Sequence, residues 1–266
     1  MNIVDRAKHA LWKESGLPHD PKGPKGYVED ARLNLVSGVT PEMIKPDYCR
    51  GSGQEWLTKI RAIHSSAALA ANAFGRWKTD PAELRILGLS GFQPPILEAQ
   101  CPTGLGGTPP NLDVLLQSSD TVIGIESKLL EPLTPTKPYF SPSYSRNRLP
   151  LCEEPWWNLL EQVRHWPPAH LDAAQLVKHY LGLRKRFPTG RKVFLMYIFW
   201  KPLNAANFAE YSQHAEDIEK FRNGVSEGGA VQFISMDYLQ LWDSWSGGAD
   251  LAEHAKLLKQ RYCVEI

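Results

Sequence analysis

Two short apolar runs dominate the hydrophobic pattern: NLDVLL at 111–116 and TVIGIESKLL at 121–130, separated by the polar stretch 117–120. Each reads as a strand, and the polar stretch reads as the turn of a hairpin. Both runs carry charge at positions that a buried strand leaves apolar: Asp113 in the first, Glu126 and Lys128 at the end of the second. Side chains alternate along a strand, so Glu126 and Lys128 share one face while Ile123, Ile125, Ser127 and Leu129 share the other. Pairing through the 117–120 turn brings Asp113 beside Glu126 and Lys128.

Around this pair the pattern predicts a mixed α/β order. Residues 3–15 form an amphipathic helix, and the Pro- and Gly-rich stretch 18–26 ends it. Residues 27–51 contain Pro41 and Pro46 and read as irregular, so 1–50 is expected to be an extension laid on the core. A helix is predicted from Ser52, because Trp56, Ile60, Ile63, Ala67, Ala71 and Phe74 recur at helical spacing and Ser52–Glu55 has capping-box form. Asp80 and Pro81 start a short second helix. PILEAQC (95–101) is the first strand, and TGLGGTPP (103–110) joins it to the charged pair. Helices follow near 156–165 and 170–186. Then come the apolar strand 191–200, a helix at 204–224, a strand at 231–236 and closing helices at 237–245 and 250–262. Residues 51–266 are expected to be one domain.

Composition narrows the chemistry. With 266 residues and 42% hydrophobic positions, the chain can bury a sizeable core. A net charge of +1 gives no global field for nucleic acid or membrane, so any basic surface must be local. Cys49, Cys101, Cys152 and Cys263 are far apart and form no CxxC pair, which argues against zinc and for a reduced, cytoplasmic setting. The first residues carry charges throughout, so no secretory signal is expected. The apolar run 193–200 is too short to span a bilayer.

Asp113, Glu126 and Lys128 supply what metal-assisted phosphodiester hydrolysis needs. Mg²⁺ takes hard oxygen ligands, and one or two carboxylates suffice when water and substrate phosphate complete the shell. A nearby ammonium can steady the attacking water and the charge of the transition state. The Ser127 carbonyl, between Glu126 and Lys128, could add a ligand. The plainer alternative is a Glu126–Lys128 ion pair at a solvated strand end. An Asp followed 13 residues later by Glu-x-Lys at the end of the next strand resembles the PD-(D/E)XK nuclease superfamily, which includes many restriction endonucleases. The order helix, three strands, helix, strand over 52–200 resembles that superfamily's αβββαβ core. Asn111-Leu112 before Asp113, with Pro109 and Pro110 upstream, departs from the motif's first half.

The resemblance implies Asp113 and Glu126 as metal ligands and Lys128 as the catalytic lysine. It also implies an upstream acid, for which Glu55 and Glu98 both stand. Glu55 has a capping role of its own, whereas Glu98 is a lone carboxylate in an apolar strand and can pair across from Asp113, so Glu98 is preferred. Gln175 occupies the place of the glutamine that many members carry on the following helix. The expected cofactor is Mg²⁺, with Mn²⁺ able to substitute. DNA is the expected partner, no membrane is expected, and a homodimer is possible. DNA contact is expected from Lys137, Tyr144, Arg146 and Arg148 on the long loop after Glu-x-Lys, and from Arg184 and Arg186 at a helix end. The expected function is a metal-dependent DNA endonuclease of restriction type. The alternatives are a nucleic-acid-binding protein without catalysis on the same fold, or a nuclease acting on RNA or branched DNA.

Overall fold

The charged hairpin is the middle of a five-stranded sheet of order β1-β2-β3-β4-β5. Its strands are β1 (Ile96–Gln100), β2 (Asn111–Gln117), β3 (Thr121–Lys128), β4 (Lys192–Phe199) and β5 (Val231–Asp237). β1, β2 and β3 run antiparallel, and β3, β4 and β5 run parallel. The computed structural model describes residues 1–50, 56–225, 229–245 and 247–266. The helices are α1 (Ile3–Ser15), α2 (Pro41–Arg50), α3 (Ser66–Phe74), α4 (Glu154–Val163), α5 (Ala173–Arg186), α6 (Ala209–Asn223), α7 (Tyr238–Ser244) and α8 (Ala249–Tyr262). Parallel neighbours need crossovers, and α4–α5 and α6 provide them.

The sheet separates two apolar layers, because alternate strand residues point to opposite faces. Val114, Leu116, Ile123, Ile125, Met196 and Ile198 pack into a layer with α1, α3, α7 and α8. Leu115, Val122, Val193, Leu195 and Tyr197 pack into the other with α4, α5 and α6. Glu126 lies on this second face. α5 approaches the sheet closely at Gly182, where an added Cβ would sit 2.2 Å from the Cys101 carbonyl oxygen. Trp156 is stacked on Tyr180 at 3.9 Å, which ties α4 to α5.

Two sequence expectations need correction. Residues 27–50 are not irregular: a 3-10 turn spans Ala31–Asn34, and α2 spans Pro41–Arg50 with Pro46 inside it. An interior proline weakens a helix, but here tertiary contacts outweigh that cost. Ile44 and Tyr48 are buried. The Asp47 carboxylate takes the Leu97 N–H at 2.9 Å and is paired with Lys78 and Arg50. α2 thereby covers the open edge of β1.

The helix expected from Ser52 begins instead at Ser66, with the Ser65 hydroxyl accepting from the Ala68 N–H. Its Ser52–Glu55 capping box lies outside the described residues. Residues 56–65 are turns, although Trp56, Ile60 and Ile63 are buried as their spacing suggested. They bury by lying against 26–28: Ile63 N–H donates to Gly26 O at 2.9 Å and Val28 N–H to Arg61 O at 3.0 Å. Apolar spacing reports which side is buried, not which backbone shape buries it.

Candidate active site

The β2–β3 ladder runs from Gln117↔Val122 to Val114↔Ile125. One step further, Asp113 faces Glu126. There the Ser127 N–H donates to Asp113 Oδ2 at 2.7 Å. Trp200 N–H donates to Lys128 O at 2.9 Å, so the Lys128 peptide faces β4. Successive residues of a strand alternate their hydrogen-bonding sides, which turns the Ser127 N–H and C=O towards Asp113. The Ser127 side chain points to the opposite layer, where its hydroxyl lies 2.7 Å from the Tyr238 hydroxyl.

Glu126 is 1% exposed. Its Oε1 lies 2.6 Å from Lys128 Nζ, and its Oε2 lies 2.7 Å from His179 Nε2. The His179 contact is close without being aligned as a hydrogen bond. Lys128 Nζ also donates to Gln175 Oε1 at 2.9 Å. Gln175 and His179 are one turn apart on α5, so one helix face touches both charged ends of Glu-x-Lys. Asp172 caps this helix by accepting the Gln175 N–H.

The electrostatics follow from this packing. Burial works against the Glu126 charge, but the Lys128 ammonium and the His179 imidazole outweigh it and hold the carboxyl at about 2. Burial also opposes the Lys128 charge, and the Glu126, Asp113 and Glu131 carboxylates more than offset it, so the ammonium is held charged. Asp113 goes the other way. The protein packed round it, then the charge of Glu126, push its carboxyl well above the usual range, with Lys128 only partly compensating.

Glu98 stands opposite Asp113 in the β1–β2 register, between Leu97↔Val114 and Ala99↔Leu112. Its φ is +51°, a left-handed conformation that a glutamate in mid-strand rarely adopts. Asn111 Nδ2 donates to Glu98 Oε2 at 3.4 Å. Asp113, Glu126, Lys128, Glu98 and Gln175 all line one open cleft of about 480 Å³.

The cations expected to hold DNA do not line that cleft. Arg146 pairs with Glu154 and lies over the Trp157 ring. Tyr144 packs on Phe140. Arg148 and Arg184 line a smaller cavity with Lys185, and Arg186 lines a groove beside β1 and donates to Gln100 O. Lys137 is exposed. The opposite wall of the cleft comes from the chain before β1: Tyr27, Lys59, His64, Ser65 and Ser66. Glu131 also lines it, accepting the Leu129 N–H at 2.8 Å and the Ser66 hydroxyl at 2.6 Å. None of these was singled out from the sequence as a site residue. For His179 a signal existed, its position four residues after Gln175; for Tyr27 and His64 no local pattern marks them.

The oxygen donors suit a hard divalent cation. Asp113 and Glu126 are adjacent carboxylates, the Ser127 carbonyl faces them, and Asn111 Oδ1 is a buried acceptor with no donor among the described residues. No group of three or more His, Cys, Asp or Glu is arranged to hold a metal among the described residues. Two carboxylates with backbone and amide oxygens are a ligand set that Mg²⁺ accepts when water completes the shell.

The mixed sheet, flanked by helices on both faces and carrying Asp113, Glu126 and Lys128 on its central hairpin, defines a restriction-endonuclease-like α/β protein. The chain belongs to the family described as Restriction Endonuclease associating with ARP, whose family model matches residues 9–263. Searches of curated proteins and of solved structures gave no match. The family is one of nuclease type. Among the described residues no helix is long and apolar enough to cross a membrane.

Proposed function

We propose that the protein is a Mg²⁺-dependent endonuclease that hydrolyses DNA phosphodiester bonds, of restriction or defence type. The observation that carries this is the approach of Asp113, Glu126 and Lys128 within one cleft, with Gln175 on the lysine. Asp113, Glu126 and the Ser127 carbonyl would hold Mg²⁺, with Mn²⁺ as a substitute and Glu98 as a further acid opposite Asp113. Bound there, the cation would supply Lewis-acid polarisation of the phosphate and a more acidic attacking water.

The chain's own groups divide the remaining work. Lys128 is held charged by the neighbouring carboxylates, so it can donate hydrogen bonds to water and phosphate. It steadies the attacking water and the added negative charge on the phosphate oxygens. Gln175 and Glu126 fix the direction of its ammonium. Arg148, Arg184 and Arg186, outside the cleft, would contact DNA backbone, and contacts of that kind position a strand without reading its sequence. The family description also names an association with ARP, which the proposal carries over to this chain.

The test is cleavage of supercoiled plasmid with Mg²⁺, with EDTA, and with the Asp113→Ala and Lys128→Ala variants. Loss of cleavage in EDTA and in both variants is expected. Undiminished cleavage by both variants would overturn the proposal.

A further inference from the structure

The cleft has two unlike walls. One carries the charges of β2 and β3. The other is aromatic: Tyr27 and His64 meet edge to face, with ring centroids 5.8 Å apart. This wall is rigidly built. A β-bridge joins Tyr27 to Ala62, and backbone hydrogen bonds hold Gly26 to Ile63 and Val28 to Arg61. Gly26 has φ +86°, and a Cβ there would meet His64 Nδ1 at 2.9 Å, so glycine is what lets the imidazole seat against this segment.

Neither ring belongs to the apolar core, and neither side chain makes a hydrogen bond to a described residue. Both are half-buried at the cleft. Burial, then the charge of Lys8, hold His64 down at about 4, so its imidazole is neutral at neutral pH. Lys59 lines the same cleft and adds a cation on that side. A phosphate that reaches Asp113, Glu126 and Lys128 would share the cleft with an aromatic pair in which one ring braces the other edge-on at 79°.

We propose that Tyr27 and His64 form a stacking platform for an unpaired nucleobase beside the phosphate held at Asp113, Glu126 and Lys128, so that the site acts on single-stranded or locally opened nucleic acid. This rests on the nuclease function proposed above and adds its substrate class. Stacking on an aromatic side chain tolerates any base, because every base has a π-face, and it is unavailable to a base that stays inside a duplex.

The test uses the full chain and two readouts. The first is the fluorescence of a single-stranded oligonucleotide containing 2-aminopurine, with Ca²⁺ in place of Mg²⁺; stacking on the platform quenches it. The second is steady-state cleavage of matched single-stranded and duplex oligonucleotides with Mg²⁺. The wild-type protein is expected to quench the probe and to prefer the single strand. Tyr27→Ala and Tyr27→Leu are expected to lose quenching and raise KM about tenfold, with kcat little changed. Tyr27→Trp, which keeps a stacking face, is expected to rescue KM. His64→Ala provides a second variant whose backbone bridge is untouched.

An unchanged KM in Tyr27→Ala, or equal wild-type cleavage of duplex and single strand, overturns the inference. If Asp113→Ala abolishes cleavage while Tyr27→Ala binds and cuts as wild type, the stacking proposal alone falls. If wild type quenches the probe, Tyr27→Ala does not, and neither cleaves, the platform stands and the nuclease proposal falls.

Discussion

His179 Nε2 lies 2.7 Å from Glu126 Oε2, in a spot where His179 is wholly buried and Glu126 nearly so. The other Glu126 oxygen meets Lys128, and Lys128 in turn meets Gln175, one helical turn before His179. A single face of α5 thus orients both members of Glu-x-Lys. Outer partners of this kind fix the rotamers of the groups that touch substrate or metal.

His179→Ala is expected to lower Mg²⁺-dependent cleavage by about 10–100-fold, the usual scale for losing such a partner. His179→Gln, which can still reach Glu126 with a donor, should recover part of the loss. A Mg²⁺ titration of the initial cleavage rate checks it: the alanine variant should need more metal for half-maximal rate, which a general loss of folded protein would not cause.

Asp113 is a carboxyl that burial and the Glu126 charge hold in an unfavourable place. Asp113→Asn keeps its shape and an oxygen for the Ser127 N–H, and removes the charge conflict. Without metal, this variant is expected to melt at or above the wild-type temperature. Adding Mg²⁺ should raise the wild-type Tm and leave that of the variant almost unmoved. Differential scanning calorimetry with and without Mg²⁺ measures both; a wild-type Tm insensitive to Mg²⁺ and Mn²⁺ would count against the metal site.

Two buried histidines and the half-buried His64 make the fold sensitive to acid. Burial depresses His214 to about 3, and His64 and His254 to about 4 each, against an ordinary value of 6.5. Below about 6.5 the unfolded chain binds protons at these sites and the folded chain does not. Stability therefore falls as pH drops from about 6.5 towards 3. Urea midpoints measured between pH 7 and 4 should decrease steadily, and His214→Phe should flatten part of that slope. His214 is a fair choice because its Nε2 contacts the Tyr197 hydroxyl at 2.8 Å in the second layer.

Gly182 sets how near α5 comes to the sheet. Gly182→Ala puts a Cβ 2.2 Å from the Cys101 carbonyl oxygen, and backbone cannot swing aside as a side-chain tip can. The cost is expected to be about 1–3 kcal/mol. At about 2–4 °C per kcal/mol for a chain of this size class, a thermal melt will show it. Because α5 carries Gln175 and His179, cleavage at a temperature where the variant stays folded should drop as well.

The sequence alone determined the central hairpin and the meeting of Asp113, Glu126 and Lys128. Strand alternation and the short polar turn between Gln117 and Thr121 set the register of this pair, so local pattern suffices there. The places of Gln175 on the helix after Glu-x-Lys and of Glu98 opposite Asp113 were legible too, the first from a family resemblance and the second from the hairpin register, whereas the bond from Lys128 to Gln175 was not. Tertiary structure decided the rest. It turned 56–65 into turns laid on 26–28, although their apolar spacing reads as helix. It kept α2 helical through Pro46, because Asp47 is fastened to Leu97, Lys78 and Arg50. It drew the loop and helix-end cations away from the cleft and put Tyr27 and His64 there instead. It also set His179 on Glu126, residues 53 positions apart. Each of these contacts joins segments far apart along the chain, and their partners are chosen by how whole elements pack, which no local period of apolar and polar residues records.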